Sequence, residues 1–126
     1  MRVLLDTHTF LWAITDADKL SLLARQTIAS SEPFWSTASI WEALIKVQVG
    51  KLPLPIPAGD YLTSKMSING VSVLPIKLEH VLRVEGLERH HRDPFDRMLI
   101  AQSLEERWPI ITADPVFKDY PIRVIW

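Results

Sequence analysis

The stretch RDPFDRMLIAQ, from Arg92 to Gln102, places two aspartates three positions apart before the sequence becomes apolar. Asp93 followed by Pro94 is typical of a helix N-terminus, because an Asp side chain accepts a hydrogen bond from a free backbone N–H and Pro is tolerated in the first turn. Asp96 then falls in that turn, where the helix dipole stabilises negative charge. Two carboxylates so placed could also hold a cation, and the stretch alone leaves both interpretations open.

Three further acids occupy comparable positions elsewhere in the chain. Asp6 ends the apolar run RVLLD, Asp114 ends IITAD, and Glu42 lies in the helical segment SIWEALIK. Each has a simpler alternative role. Asp6 and Asp114 could cap the turns that follow them. Glu42 precedes Lys46 by four residues, the spacing of a helical ion pair that contributes only about 0.2–0.5 kcal/mol.

Apolar runs of strand length alternate with helical segments along the whole chain. Strands are predicted at 2–6, 33–39 (turning into a cap), 70–76, 109–114 and 122–126; helices are predicted after residue 6 and at 21–31, 39–51, 58–68, 78–87 and 94–108. This alternation predicts one domain, residues 1–126, folded as a three-layer α/β/α sandwich around a mostly parallel central sheet. Ligands of such sheets bind outside the carboxyl ends of the strands. Asp6 and Asp114 are therefore expected at one edge, within reach of Glu42 and Asp96.

Composition narrows the possible classes of protein. The 126 residues are 48% hydrophobic, which suits a globular core, and no cysteine is present for disulfides or a cysteine-based zinc site. No apolar run approaches the roughly 20 residues that span a bilayer. These features are compatible with a cytoplasmic protein and predict no membrane partner.

Taken alone, the net charge of −1 disfavours a nucleic-acid partner. If four acids bind a metal ion, however, the other residues of the chain carry a net charge of +3. Several basic residues fall near the candidate segments, and they are either phosphate contacts or solvated surface charges: Lys46, Lys51, Arg89, Arg92 and Arg97.

Two other residue types have simpler interpretations. His90 and His91 could be metal ligands, but they are expected to be exposed loop histidines, because the chain has no H-E-x-x-H spacing and no cysteine to complete a zinc site. Most of the tryptophans, at positions 12, 35, 41 and 108, are expected in the core.

The order and context of the acids resemble the PIN-domain family. The segments LLDTHTFLWA, SIWEALIK, RDPFDRMLIAQ and IITADPVF are similar to those of VapC-type toxins from bacterial toxin–antitoxin pairs, over nearly the whole chain. The resemblance implies a Mg²⁺- or Mn²⁺-dependent ribonuclease whose catalytic acids match Asp6, Glu42, Asp96 and Asp114. Asp93 matches a variant of the motif. Thr112 matches a small hydroxylic residue two positions before the last acid.

The same resemblance implies roles and partners. Asp6 and Asp96 would ligate the metal directly, Asp114 would hold a second or weaker ion, and Glu42 would ligate through water or act as a general base. The candidates for RNA contact are Lys46, Arg92 and Arg97. The expected partners are an RNA substrate, a cognate antitoxin and a second copy of the chain. Trp12 and Trp41 are hypothesised to contribute exposed apolar surface for the antitoxin.

Electrostatics explains why such a cluster would need a metal. Carboxylates held a few ångströms apart repel, so that without a cation the pKa of at least one rises. Mg²⁺ prefers oxygen ligands and retains water molecules. The hypothesis is that metal-activated water attacks an RNA phosphodiester in line, leaving 5′-phosphate and 3′-hydroxyl ends.

Other functions are weighed against this one. A catalytically silent PIN-like module would bind RNA or a partner without cleaving it. A receiver-type signalling domain would need an acceptor aspartate in VSVLPIK and a lysine in IRVIW, and both are missing. A D-x-D phosphatase is disfavoured because the second acid position of DTH is a histidine.

Overall fold

The computed structural model describes all 126 residues, which form five β-strands and six α-helices. The strands are β1 Arg2–Leu5, β2 Glu32–Ser36, β3 Ser72–Leu74, β4 Ile110–Ile111 and β5 Val124–Ile125. The helices are α1 Thr7–Thr15, α2 Leu22–Ser30, α3 Thr37–Gln48, α4 Ala58–Ile68, α5 Leu78–Glu85 and α6 Pro94–Glu106, with short 3₁₀ helices at Ala17–Lys19 and Pro115–Asp119. None of the helices combines the length and apolar character needed to cross a membrane.

The five strands form one sheet in the order β3-β2-β1-β4-β5, and all four pairings are parallel. The predicted α/β class is confirmed, with a sheet that is wholly rather than mostly parallel. The strand order reverses at β1, so the crevice between the carboxyl ends of β1 and β4 is the position where such sheets bind ligands. This order also differs from the 2-1-3-4-5 order of receiver-type sheets, and gives that alternative no support.

Alternating strand residues build an apolar layer on each face of the sheet. Val3 and Leu5 pack into a cluster with Trp35 and Phe10 on one face. Leu4, between them, packs on the other face with residues of α6. Strands buried on both faces read as continuous apolar runs, which explains the sequence RVLL. The sheet therefore holds its carboxyl ends on a rigid base.

The strands β4 and β5 are shorter than predicted. Residues 109–114 were expected to be extended, but the regular strand covers only Ile110–Ile111. Single hydrogen bonds continue the ladder beyond it, from Leu4 N to Pro109 O (2.9 Å) and from Thr112 N to Ile125 O (3.2 Å). Beyond Thr112 the chain turns at Asp114, whose side chain accepts from Val116 N and caps a 3₁₀ helix.

The tryptophans do not all lie in the core. Trp35 is fully buried, and Trp12 and Trp108 are half-buried. Trp41 is 61% exposed, so its expected place in the core was wrong, whereas the exposed apolar surface hypothesised at Trp41 is present. Its indole contacts the ring of Phe95 edge-on, with 5.2 Å between centroids. The α3–α6 contact thus leaves an aromatic pair at the surface.

Candidate metal centre

A cleft of about 560 Å³ opens at the carboxyl edge of the sheet, beside the ends of β1 and β4. Five acids line it, together with His8, Trp12, Lys46 and His91: Asp6, Glu42, Asp93, Asp96 and Asp114. The four acids predicted as catalytic therefore come together in one cleft, as does Asp93. They arrive from β1, α3, the start of α6 and the turn after β4, so their proximity is a product of the tertiary fold.

Asp6 follows β1 directly and is only 5% exposed. Its Oδ1 accepts from Thr7 N (2.7 Å), which makes it the N-cap of α1. Its Oδ2 accepts from the hydroxyl of Thr112 (2.8 Å). The capping role predicted for Asp6 is real, and it fixes the carboxylate at the edge of the cleft.

Thr112 connects two acids of the cleft through one hydroxyl. Its Oγ1 donates to Asp6 and accepts from the backbone N–H of Asp114 (3.1 Å). Thr112 is 1% exposed, so solvent does not replace these bonds. The residue orients Asp6 and the turn that carries Asp114, and the exposed carboxylate of Asp114 lies on the open side of the cleft.

Glu42 projects from α3 into the cleft and is 7% exposed, unlike the surface ion-pair residue considered from the sequence. Its Oε2 does pair with Lys46 Nζ at 3.3 Å, and Lys46 Nζ also lies 3.2 Å from His8 Nε2. Its Oε1 is buried without a hydrogen-bond partner. A buried carboxylate oxygen without a partner is energetically costly, so Oε1 is available to a ligand or a proton.

Asp93 and Asp96 make different contacts, which correspond to the two interpretations of their sequence spacing: helix capping and cation binding. Asp93 Oδ1 accepts from Phe95 N (2.8 Å) and Asp96 N (3.1 Å), and so caps α6 with Pro94 in its first turn. The cap leaves Asp96 free to face the cleft. Asp93 therefore caps the helix, and Asp96 faces the candidate site.

His91 was expected to be an exposed loop histidine, and that interpretation was wrong. Its Nε2 lies 2.7 Å from Asp96 Oδ2, and its side chain is only 27% exposed. Ligand atoms of His91, Asp93 and Asp96 all lie within 4.8 Å of one another, a spacing that could hold a metal ion. His90, by contrast, is exposed as expected. The sequence signal for His91 was only its position five residues before Asp96.

Burial and repulsion from neighbouring carboxylates raise the pKa of two acids of the cleft, Asp6 and Asp96. Burial raises the pKa of Asp6, although the hydrogen bond from Thr112 opposes the shift. Burial also raises the pKa of Asp96 to about 7; the bond with His91 opposes this, and the charges of Asp6 and Glu42 add to it. Because the ionised forms of these acids are unfavourable in the cleft, a bound cation would stabilise them.

The residues of the cleft fit a hard divalent ion. They offer carboxylate oxygens, which Mg²⁺ and Mn²⁺ prefer, and an unpartnered Oε1 on Glu42. The cleft lacks the four Cys or His ligands of a structural zinc site. His91 offers one ring nitrogen beside these oxygens.

The predicted basic contacts fall into three environments. Lys46 lines the carboxylate cleft itself. Arg89 and Arg92 are exposed in an adjoining cleft of about 470 Å³ that shares His91 with the first. Arg97 also lines this second cleft, but its guanidinium donates to three backbone carbonyls, of Val84, Glu88 and His91. This geometry favours a structural role for Arg97, while Lys51 lines neither cleft.

The chain is similar to a known family in sequence and to known proteins in fold. A family model described as the PIN domain matches residues 3–122. No curated protein sequence matches the chain. The fold is similar to DNA-bound VapBC from Salmonella typhimurium (TM-score 0.72, 14% identity, 98% of this chain and 96% of that chain).

Two further solved structures share the fold at the same identity. VapBC2 from Rickettsia felis, bound to a DNA fragment from its promoter, has a TM-score of 0.68 and 14% identity over 98% of this chain and 97% of that chain. FitAcB from Neisseria gonorrhoeae has a TM-score of 0.63 and 14% identity, covering 97% of this chain and 95% of that chain. At this identity the likeness concerns the fold.

Proposed function

The chain belongs to the PIN-domain family, and on that premise we propose that it is a metal-dependent endoribonuclease acting as the toxin of a toxin–antitoxin pair. The observation that carries the proposal is the cleft in which buried Asp6 and Glu42 meet Asp96 at the switch point of the sheet. The names of the similar structures, VapBC and a toxin–antitoxin complex from Klebsiella pneumoniae, support the biological setting.

Asp6 and Asp96 are proposed to hold the essential ion, with Asp114 as a weaker ligand. When bound, Mg²⁺ or Mn²⁺ would activate water and offset the charge that develops on the phosphodiester. Glu42 Oε1, which has no other partner, would accept the proton of the attacking water. Lys46, held between Glu42 and His8, would place its ammonium beside a phosphate oxygen.

A rim of arginines is proposed to bind the RNA next to the site of cleavage. Arg92 lies in the basic cleft that adjoins the carboxylates and makes no ion pair. Arg guanidinium groups match phosphate geometry well. Arg97, also predicted to contact RNA, would act by holding the loop that carries His91.

The proposed partners are a cognate antitoxin and a second copy of the chain, in the cytoplasm. The proposed antitoxin anchor is the pair of exposed Trp41 and half-buried Phe95, since both residues immediately precede proposed catalytic acids, Glu42 and Asp96. Trp12 is half-buried and lines the carboxylate cleft, so it would contact only a segment that enters the cleft.

RNA cleavage tests the proposed activity. Purified, antitoxin-free protein is incubated with a labelled single-stranded RNA pool in Mg²⁺, Mn²⁺ or EDTA, beside Asp96→Asn and the control Asp60→Asn, which alters an exposed acid of α4. Metal-dependent cleavage by the wild type and the control, lost in a folded Asp96→Asn, is expected. Equal cleavage by all three would overturn the assignment of Asp96, and no cleavage by wild type would favour a silent binding module.

The ends of the RNA products test the mechanism separately. Attack by water predicts 5′-phosphate and 3′-hydroxyl ends. Attack by the neighbouring 2′-hydroxyl of the RNA would instead leave 2′,3′-cyclic phosphate. Finding cyclic phosphate as the primary product would rule out the proton-accepting role of Glu42 toward water.

A further inference from the structure

A second cleft, of about 660 Å³, opens at the opposite edge of the sheet, where the strands begin. Three arginines converge on it from separate elements. Arg2 begins β1, Arg107 follows α6, and Arg123 precedes β5. No acidic residue lines this cleft. In a chain of net charge −1, it is a concentrated positive surface remote from the carboxylates.

Two of the three guanidinium groups have no carboxylate partner. Arg2 pairs with Glu32 at 3.3 Å, whereas Arg107 and Arg123 form no ion pair. Arg2 also lies over an aromatic pair, 5.9 Å from the Trp108 ring centroid and 6.0 Å from that of Phe34. The rings therefore hold Arg2 in place while Arg107 and Arg123 face an open cleft.

Arg107 occupies a backbone conformation that usually favours glycine. Its φ of 60° and ψ of 39° lie in the left-handed region, and it is the only non-glycine residue with a positive φ. Glycine ends helices in this conformation without steric cost. A long cationic side chain at this position is therefore not required for the turn. Its charge does suit the negative end of the α6 dipole, but that interaction does not explain the two other arginines.

We infer that this arginine cleft is a second binding site for the phosphodiester backbone of a folded RNA, separate from the site of cleavage. Unpaired guanidinium groups recognise phosphate with paired hydrogen bonds. Backbone contacts of this kind add affinity without sequence preference. The inference rests on the proposed ribonuclease function, because it is the carboxylate cleft that identifies RNA as the polyanion.

The position of the arginine cleft determines which RNAs would use it. β1 separates the two edges by about 13 Å, from four residues at roughly 3.3 Å each, and the polynucleotide has to pass around the helices as well. A short oligonucleotide in the carboxylate cleft would not reach the arginines. A long structured RNA would contact both edges, so RNA length separates the two sites experimentally.

Binding, rather than cleavage, tests the inference. Affinities of a long structured RNA and a short single-stranded oligonucleotide are measured with Mg²⁺ in a Glu42→Gln background, which keeps the proposed ligands Asp6 and Asp96 and blocks cleavage, with and without Arg107→Glu/Arg123→Glu. The control Arg25→Glu/Lys51→Glu makes the same change in net charge at exposed residues outside the carboxylate and arginine clefts. We expect about tenfold weaker binding of the long RNA by the first variant alone, with unchanged binding of the oligonucleotide.

Salt dependence adds an independent readout. Loss of two phosphate contacts predicts that the slope of log affinity against log salt becomes shallower by about 1.4–1.8 for the long RNA. An equal loss of affinity in the control variant would reduce the effect to general electrostatics and overturn the inference. Unchanged RNA binding, with saturable binding of an acidic peptide that Arg107→Glu/Arg123→Glu abolishes, would assign the cleft to a protein partner instead.

The variant Arg107→Gly tests whether misfolding, and not the loss of a phosphate contact, explains weaker binding of the long RNA. This change relieves the left-handed conformation while removing the charge, so the variant should melt at or above the wild-type temperature yet bind the long RNA more weakly. Weaker binding together with a lower melting temperature would count against a direct contact. If wild type neither binds nor cleaves any RNA, the proposed function fails; if it does both and these variants match it, only the second site fails.

Discussion

At the scale of single residues, the candidate centre depends on hydrogen bonds that hold carboxylates in a cleft that disfavours their charge. Asp6 illustrates this, because burial raises its pKa while Thr112 and Thr7 stabilise its ionised form. Glu42 retains one oxygen with no partner. These groups are arranged for an ion or a proton rather than for the stability of the isolated protein.

Thr112→Val tests the positioning of Asp6. Valine has nearly the same shape but cannot donate to Asp6 Oδ2 or accept from Asp114 N. We expect Mn²⁺ affinity to fall about 10–100-fold, as for other outer-shell partners of metal ligands. Thr112→Ser keeps the hydroxyl and should bind Mn²⁺ nearly as the wild type does. Equal Mn²⁺ affinity of Thr112→Val and Thr112→Ser would show that the Thr112 hydroxyl does not position Asp6 for metal binding.

The raised pKa of Asp96 predicts how stability depends on pH in metal-free protein. Because the folded state keeps a proton up to about pH 7 while an ordinary Asp releases it near 3.8, the folded state binds more protons between these values. Stability should therefore fall as pH rises from about 4 to 7. Thermal melting across this range should show a shallower pH dependence for Asp96→Asn. The same or a steeper decline in that variant would contradict the prediction.

The shared position of the acids at one edge was predictable where an acid follows a strand or opens a helix, as Asp6, Asp114 and Asp96 do, whereas their catalytic roles stay predictions. Asp6, Glu42, Asp96 and Asp114 stood in contexts that the fold brings to one cleft. His91 was missed because a loop histidine has no periodic signal. Its position depends on side chains in the first turn of α6, Asp96 and the Arg97 guanidinium that donates to its carbonyl, and no sequence pattern predicts these contacts.

At the scale of elements, the start of α6 combines a structural and a chemical role in four residues. Asp93 caps the helix through two backbone N–H groups, and the first turn then presents Asp96 to the cleft. The helix dipole favours negative charge at this end. The element thereby lowers the cost of holding several carboxylates together.

Two substitutions at Asp93 separate capping from metal binding. Asp93→Ala should destabilise the protein by about 1 kcal/mol through loss of the cap. Asp93→Asn keeps the capping oxygen and should retain nearly wild-type stability in denaturant titrations. If Asp93 is also a ligand, Asp93→Asn will still weaken Mn²⁺ binding. Wild-type Mn²⁺ affinity in that variant would show that Asp93 serves the helix alone.

The alternation of strands and helices was readable from the sequence, whereas strand lengths and sheet order were not. β4 is only two residues long because the chain turns at Asp114 soon after Thr112. The order β3-β2-β1-β4-β5 follows from long connections whose course leaves no local pattern. Trp41 was likewise misassigned, since the position of α3 at the surface is a tertiary property.

At the scale of the whole molecule, the fold separates three surfaces. The carboxylate cleft lies at the carboxyl edge, the arginine cleft lies at the amino edge, and the Trp41–Phe95 pair lies outside both. An antitoxin bound at the aromatic pair would lie next to α3 and α6, both of which supply acids to the centre. Inhibition by covering the carboxylate cleft is compatible with this arrangement.

Trp41→Ala tests the proposed anchor for the antitoxin. Because Trp41 is 61% exposed, its loss should change the melting temperature little. An aromatic hot-spot residue of an interface contributes about 2 kcal/mol or more, so if Trp41 is such an anchor, affinity for the cognate antitoxin should fall about 30-fold. Calorimetry with the purified antitoxin measures this. Wild-type affinity in the folded variant would exclude Trp41 as an anchor.

The central claim is that Asp6 and Asp96, brought together by the fold, bind a divalent ion. The most direct test is Mn²⁺ binding, followed by the loss of the free-ion electron paramagnetic resonance signal, for wild type, Asp6→Asn, Asp96→Asn and the distant control Asp60→Asn. We predict saturable binding by wild type and the control, and at least tenfold weaker binding by each of the two site variants. Equal binding by all four proteins, or none by wild type at neutral pH, would contradict the metal centre on which the proposed function depends.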